Sequence, residues 1–352
     1  MTGAPTTGGT TTTVAVVGAG VAGLGAAYAL RDADADVTVF ERRESVGGRA
    51  ATRRRDECVY DVGANYLKSD SERVSRLVRE ELADGLAEVE GAVWTFDAEG
   101  EISPGRDDDA PKWTYREGVA ALGERLRDAG GATVRLGTEV TGLSREDEDW
   151  RIETADTTPE TADAVVLTPP APATAGLLDR ARWDDSRREA LRDEISSVSY
   201  RTILTVALRY DRPIDRPFYA LVNTDKAHDL GWVAREECKP GHVPDGESLL
   251  VVQPSPEWSA ARHDDADDEI AEAAADRTAD LLDDHALRSF DWADVVRWQN
   301  ALPDSGADRG ALARAADADL FFAGDWVAGE GRLHAALESG LEAGERVADS
   351  LT

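Results

Sequence analysis

The stretch VAVVGAGVAGLGAAYAL, residues 14–30, constrains this chain more than any other. Residues 14–17 are a short apolar run of the kind that forms a buried parallel strand. Gly18, Gly20 and Gly23 follow in G-x-G-x-x-G order. In that pattern the first glycine permits a tight turn, the second lets a pyrophosphate reach the backbone, and the third lets helix and strand pack closely. Val21, Leu24, Ala27, Tyr28 and Leu30 then fall at helical spacing, and VTVF, residues 37–40, is a second strand ending at Glu41. Together they make a β-α-β unit of about thirty residues. Its helix N-terminus offers unpaired N–H groups and partial positive charge to phosphate. A carboxylate at Glu41 accepts from ribose hydroxyls and repels a 2′-phosphate. A plain structural turn with a solvated glutamate is the blander account. The strand before, the helix behind and the acid at the right distance argue against it.

The next stretch, ERRESVGGRAATRRR at 41–55, holds six arginines: Arg42, Arg43, Arg49, Arg53, Arg54 and Arg55. The chain as a whole carries 70 acidic against 39 basic residues, a formal charge of −31. Positive charge gathered around Gly47 and Gly48 points to a bound diphosphate. A second glycine pair gives a second close backbone approach, which suits a longer ligand than NAD and favours FAD. For Arg53 to Arg55 a solvated basic loop is the better reading; for Arg49, held by glycines, it is not.

Further elements fill out an interleaved plan. Residues 117–128 look helical, 132–146 read as paired strands around Gly137, and ADAVVLTPP at 162–170 is a buried strand stopped by prolines. YRTILTVALRY at 200–210 and SLLVVQPS at 248–255 alternate like antiparallel strands. Residues 267–288 are an acidic, alanine-rich helix, DLFFAGDW at 319–326 is a strand entering a turn, and 333–349 form a closing helix. The expected division is a disordered tail at 1–12, a nucleotide-binding domain at 13–65, 116–172 and 305–352, and a substrate cap at 66–115 and 173–304.

Composition excludes several classes. No run of apolar residues is long enough to span a membrane, and the N-terminus lacks the basic and apolar regions of a signal peptide. Cys58 and Cys238 have neither metal-ligand spacing nor a disulfide framework, so a reducing cytoplasm fits best. The negative field opposes nucleic acid and anionic membranes. Lysine is confined to Lys68, Lys112, Lys226 and Lys239 while acids are spread throughout, which reads as adaptation to concentrated salt. A GC-rich genome accounts equally for arginine in place of lysine.

VAVVGAGVAGLGAAYAL…VTVFERRESVGGRAATR resembles the FAD-binding start of the flavin amine oxidase superfamily. YDVGANYL at 60–67, CKPGH at 238–242, WSAARH at 258–263 and LFFAGDWVAGEGRLHAALESGLEAGERVAD at 320–349 look most like the renalase branch. The resemblance implies an α/β architecture, a Rossmann-like FAD-binding domain of the glutathione-reductase and p-hydroxybenzoate-hydroxylase type. An α+β substrate domain with an antiparallel sheet would be interleaved with it. It implies that Gly18, Ala19, Gly20, Ala22 and Gly23 line the pyrophosphate and that Glu41, with Arg42 beside it, holds the adenosine ribose. Gly48 and Arg49 would brace the diphosphate, and Val140 would meet adenine. Gly63, Ala64, Asn65 and Tyr66 would run past the flavin, with Asn65 and Tyr66 the flavin-facing candidates for catalysis. Gly324 and Asp325 would reach the ribityl chain, and the helix from Leu333 would aim its N-terminus at the flavin N1–C2=O edge. No cysteine stands near Gly324 or at the C-terminal attachment position of covalent family members, so FAD is expected to be non-covalent. Glu236-Glu237-Cys238 departs from the small polar residues a renalase pattern favours.

The flavin would supply the chemistry, with hydride passing to N5 and oxygen as acceptor. The sequence offers no Ser-His-Asp set and no metal cluster, and His228, His242, His263, His285 and His334 read as surface or structural. A renalase-like enzyme oxidises isomeric forms of NAD(P)H, polyanions that need cations such as Arg201, Arg235, Lys239, Arg262 and His263. An amine oxidase needs an aromatic cage from Trp113, Trp232, Trp258, Tyr219 or Trp326, although core packing is the simpler role for most of these. A non-catalytic flavin sensor is the alternative of another class. The charge itself makes a prediction. Self-repulsion among carboxylates should lower the melting temperature at low salt, where the Debye length exceeds its ~3 Å at 1 M. A melting temperature flat from low to molar potassium chloride removes the salt-adaptation reading.

Overall fold

A computed structural model describes residues 11–105, 110–155 and 158–351. The tail expected at 1–12 lies outside the described residues up to position 10, and Thr12 already opens the first strand. Strand β1 (Thr12–Val17), helix α1 (Val21–Ala29) and strand β2 (Ala35–Phe40) form the expected β-α-β unit. Their sheet is parallel throughout, in the order Leu320–Phe322, Ala164–Leu167, β1, β2, Thr133–Arg135. Val14–Val17 and Ala164–Leu167 are buried throughout, as an apolar run demands when both faces are covered, with α1 and the closing helix on one side and Leu143, Trp150 and Ile152 among the residues on the other. Residue 320 thus returns close to residue 15 through one intervening strand. The closing helix Leu333–Ser350 lies directly on α1, where a Cβ at Gly340 would collide with the carbonyl of Ala22. Small residues there allow two helix backbones to meet.

A second, seven-stranded sheet makes the cap. Its order is Trp292–Pro303, Tyr200–Tyr210, Ser248–Pro254, Leu230–Arg235, Phe218–Asn223, Ala92–Phe96, Ile102–Ser103. Its pairs are antiparallel except that of Phe218–Asn223 with Ala92–Phe96. Helix Asp267–Leu281 covers it, burying Ile270, Ala274 and Leu281 against Leu208, Leu250 and Val252. Among the described residues no helix is long and apolar enough to cross a membrane.

Several expected elements differ. The helix expected at 117–128 runs Ala121–Gly130 instead, closed by Gly131 in the left-handed region. Residues 132–146 do not pair with one another around Gly137. Thr133–Arg135 completes the parallel sheet, while Val140–Glu146 pairs with Asp149–Thr154 across a turn at Asp147. The helix expected to reach 288 ends at Leu281, and His285–Arg288 is a short 3₁₀ turn after Asp283 in the left-handed region. Packing also crosses the expected cap boundaries at 66 and 173. Val74, Val78 and Leu82 join the core beneath α1, and Leu178, Leu191 and Ile195 pack behind Val165 and Leu320.

A charge cluster without solvent access joins the hairpin strand Cys58–Asp61 to the turn that follows the cap strand Leu230–Arg235. Lys239 Nζ lies 2.8 Å from Asp61 Oδ2 and 2.8 Å from Glu236 Oε1, the second a charge contact rather than an aligned hydrogen bond. His242 Nδ1 faces Glu236 Oε2 at 3.0 Å and its Nε2 faces the Tyr115 carbonyl at 3.0 Å, a pair of acceptors that an imidazolium satisfies. Asp61 also accepts from Thr52 Oγ1 at 2.7 Å, Val119 N at 2.8 Å and Thr114 Oγ1 at 3.2 Å. Burial alone would raise the Asp61 pKa, but Lys239 and His242 outweigh it and hold the carboxyl below its ordinary value. Burial alone would depress Lys239, and the Asp61 and Glu236 carboxylates raise it instead. The depressed Asp61 stabilises the fold above its unfolded pKa, and that contribution is lost as pH falls toward its folded value. The raised Lys239 is the mirror case, stabilising below its unfolded pKa and failing only in strong alkali. Lys239→Met, which strands two buried carboxylates, should cost ~3–5 kcal/mol by chemical denaturation. A loss below about 1 kcal/mol would contradict the role given to this cluster.

Candidate functional site

One deep cleft, with a volume of about 1800 Å³, runs from the carboxyl end of β1 to the inner face of the cap sheet. Two of the helices that begin on it come from opposite sequence ends of the nucleotide half. α1 starts after Gly20, and the closing helix after Arg332; neither has a side-chain cap or an acid in its first turn. Gly20, Val21 and Ala22 at one end, and Leu333, His334 and Ala336 at the other, form parts of its wall. Unpaired N–H groups and helix dipoles therefore aim positive potential into the same space from two directions.

The first glycine loop is built against the second. Gly47 N donates to the Ala19 carbonyl at 2.8 Å, and a Cβ on Gly48 would stand 3.1 Å from Gly20 Cα. Gly47 and Gly48 both have positive φ, at 99° and 63°. The second glycine pair thus has a packing reason beside any approach to a ligand. Glu41 is 8% exposed and is oriented by backbone, accepting from Ala19 N at 2.8 Å and Arg43 N at 2.9 Å. Ala19 and Gly23 do not reach the cleft. Ala19 is fully buried, and Gly23 does the packing work expected of it, since a Cβ there would collide with the Gly18 carbonyl.

The arginine run divides. Arg42, Arg43 and Arg49 line the cleft. Arg53, Arg54 and Arg55 stand on the exposed strand Thr52–Arg55 and bond Asp294, the Glu117 carbonyl and the Ala293 carbonyl. Arg49 is committed within the wall. Its Nη2 donates to Asp325 Oδ1 at 2.7 Å and its Nη1 to the Ala301 carbonyl at 3.0 Å, with the ring of Tyr200 5.9 Å away. Asp325 in turn accepts from Trp326 N at 2.9 Å, and Gly324 N donates to Ser339 Oγ of the closing helix at 3.1 Å. Arg49 therefore ties the second glycine loop to the Gly324-Asp325 turn and the cap strand in one step.

Residues 63–66 run along the opposite side. A Cβ on Gly63 would collide with the Arg49 carbonyl, which also accepts from Ala64 N at 2.9 Å. Gln253, a polar residue in the apolar strand Ser248–Pro254, orients Asn65. Its Nε2 donates to the Gly63 carbonyl at 3.2 Å, so its Oε1 accepts from Asn65 Nδ2 at 3.1 Å. Asn65 Oδ1 is left as a buried acceptor without a partner. Tyr66 and Trp232 meet with ring centroids 6.1 Å apart, and both face the cleft. Val140 also lines it, next to Thr138 and Glu139.

Of the cations named from sequence, Arg201 lines the cleft. Arg235 pairs with Glu237, Lys239 is in the buried cluster, Arg262 pairs with Asp265, and His263 faces Asp264. Of the cage candidates, Trp232 and Trp258 line it, whereas Trp113, Tyr219 and Trp326 are packed elsewhere. His228 and His334, read as surface or structural, also stand on its wall, while His242 is structural. Sequence reasoning missed Lys226, Trp298 and Gln253; a glutamine interrupting LLVV was the available signal for the last. It also missed that Asp61, Glu236 and His242 converge like metal ligands. Lys239 Nζ sits among them, so an ammonium already fills the cation's place. Neither thiol lines the cleft, and burial pushes Cys238 up to about 11.

This fold and this site define a dinucleotide-binding protein with an overlying cap. Residues 89–348 match the family described as flavin containing amine oxidoreductase, and residues 16–80 match an NAD(P)-binding Rossmann-like domain. The chain belongs to the flavin containing amine oxidoreductase family. Human flavin-containing amine oxidase B is 41% identical over 68 residues, 19% of this chain and 13% of that protein, so the match spans a small part of the curated relative. A provisionally named protoporphyrinogen oxidase from Exiguobacterium superposes with a TM-score of 0.82 at 16% identity, covering 97% of this chain and 100% of that one. A putrescine oxidase bound to putrescine gives 0.74 at 16% identity, over 97% and 98%. These likenesses establish the fold.

FAD is the cofactor of this family, and the cleft fits it. A Cβ at Gly20 would meet nothing within 4 Å, leaving open space at the α1 N-terminus where a diphosphate fits. Arg49→Ala should release Asp325 from its partner, lower the melting temperature and weaken FAD retention by about 1.5–3 kcal/mol. Equilibrium dialysis of the purified variant checks this, and an FAD affinity equal to wild type would contradict it.

Proposed function

We propose that this protein is an FAD-dependent oxidase of the renalase type, acting on a dihydronicotinamide substrate. The observation that carries the reading is the size of the cleft. At about 1800 Å³ it exceeds the ~300–1,000 Å³ of an ordinary small-ligand site, so it can hold FAD and a second sizeable molecule. Bound FAD would supply the two-electron acceptor, taking hydride from a substrate carbon and passing electrons to oxygen. The chain's own residues would do the rest. The α1 N-terminus, Gly18, Gly20, Ala22 and Gly48 would receive the diphosphate, and Glu41, with Arg42 at the rim, the adenosine ribose. Val140 would border adenine, and Gly324 with the Arg49-supported Asp325 would reach the ribityl chain. The closing-helix N-terminus at Leu333 would favour negative charge on the reduced ring. Gly63, Ala64, Asn65 and Tyr66 would border the ring, with Gln253 holding Asn65 in one orientation.

A dihydronicotinamide becomes aromatic as it gives up hydride, so no base is needed to remove a proton. The ring pair of Tyr66 and Trp232 offers a flat wall for such a ring. That same pair favours the second reading, oxidation of a small amine beside aromatic faces. The acid-rich surface is read as salt adaptation, and two free thiols suit a reducing compartment. Anaerobic mixing with 6-dihydro-NAD, ordinary NADH and several amines separates the readings. The isomeric dihydronicotinamide should bleach the flavin absorbance fastest; bleaching by an amine alone would replace this function with the second, and bleaching by none would remove both.

A further inference from the structure

The cap wall of the cleft carries two cations with donors left over, one of them paired with a carboxylate. Arg201 Nε donates to Asp304 Oδ1 at 2.7 Å, and among the described residues its two terminal nitrogens make no hydrogen bond. A β-bulge after Arg201 in the pairing with Trp292–Pro303 breaks the strand's alternation at this point. Lys226 lies at the tip of the turn between Phe218–Asn223 and Leu230–Arg235, and its ammonium makes no hydrogen bond or ion pair among the described residues. Both residues and Asp304 line the cleft. Arg201, near the start of Tyr200–Tyr210, and Lys226, in the turn before Leu230–Arg235, lie at the same end of the cap sheet, because both strands run antiparallel to Ser248–Pro254. Asp304 is held below the ordinary carboxylate range, first by its bond to Arg201, with Ser199 also donating and Lys226 a smaller contributor.

The turn that carries Lys226 is built rather than loose. Asp225 accepts from Ala98 N at 2.8 Å, Asn223 Nδ2 at 2.9 Å and Ala227 N at 3.1 Å. The Asn223 side chain also receives His228 N at 3.2 Å. Lys226 itself has a φ of 60°, a left-handed backbone that favours glycine or asparagine. The chain has four lysines in 352 residues, and one of them is held in a disfavoured backbone at the cleft's edge. In a protein of formal charge −31, where most arginines are bonded to carboxylates, unspent cations in a cleft mark a place for negative charge.

We propose that Arg201 and Lys226 form an anion subsite that receives the phosphate or diphosphate of the second ligand. This rests on the dihydronicotinamide reading and narrows it. The substrate is a phosphorylated nucleotide, recognised at its phosphate by a guanidinium edge and an ammonium, rather than a free ring or riboside. Unspent cations also disfavour a protonated amine in the same space.

The test uses FAD-loaded protein, so that the cofactor's own diphosphate site is filled, at the lowest potassium chloride that keeps it folded. Inorganic pyrophosphate is titrated by calorimetry. One pyrophosphate should bind per chain, at least about tenfold more weakly in Lys226→Gln and in Arg201→Gln, and more weakly still in the double variant. Lys226→Gly, which suits the left-handed backbone, supplies a variant whose fold is not at risk. FAD occupancy and melting temperature are measured on each. In parallel, 6-dihydronicotinamide mononucleotide should saturate flavin reduction at least about tenfold below its riboside. Absent pyrophosphate binding, or equal binding by the double variant, overturns the subsite even where dihydronicotinamides bleach the flavin. Pyrophosphate binding that the double variant loses, with no dihydronicotinamide bleaching the flavin, retains the subsite and removes the catalytic reading.

Discussion

Two uncapped helix N-termini opening on one cleft are the constraint from which the rest of the arrangement follows. Their N–H groups have no side-chain acceptor and can meet a ligand's negative charge. In the proposed arrangement that ligand is anionic at one end and takes negative charge at the other. FAD meets both conditions, through its diphosphate and its reducible ring. Because α1 and the closing helix pack directly on each other at Gly340, the separation of the two positive ends is set by backbone contact rather than by flexible side chains.

Charge reinforces the attachment of the cap, beside the packing of Tyr60 and Val62 against Leu249 and Val251. The Asp61, Glu236, Lys239 and His242 cluster fastens the start of the 63–66 segment to the cap just before Leu249 and its neighbours cross the sheet. Arg49 makes the second fastening, from glycine loop to Asp325 and the Ala301 carbonyl. Both joints are intolerant of losing a single partner, since each would leave a charge buried or nearly so. These joints, with the Gln253 bonds to Gly63 and Asn65, keep Asn65, Tyr66 and Trp232 in register with whatever lies between the sheets.

Much of the nucleotide half was legible because its signals are local. A parallel strand, three glycines, a helix and Glu41 occupy one continuous stretch, and each has a physical reason for its place. Gly47 and Gly48 were visible too, but their packing against Ala19 and Gly20 depends on a loop returning in space, which spacing cannot show. The 132–146 segment was misread for the same reason: whether Thr133–Arg135 pairs with its neighbour or with β2 is a tertiary choice. Lys239 reads as a substrate cation for its charge, and only the fold brings two carboxylates to it. Lys226 carried no signal at all, since neither its left-handed backbone nor its place on the cleft wall is written in its neighbours.

The most direct measurement is the flavin content of the purified protein under salt conditions that keep it folded. The account predicts a yellow protein with one FAD per chain, released unmodified into the supernatant when the protein is precipitated with acid, and an apoprotein that takes FAD back. A colourless protein that takes up no FAD in molar potassium chloride, or a flavin that stays bonded to the chain after denaturation, would contradict it.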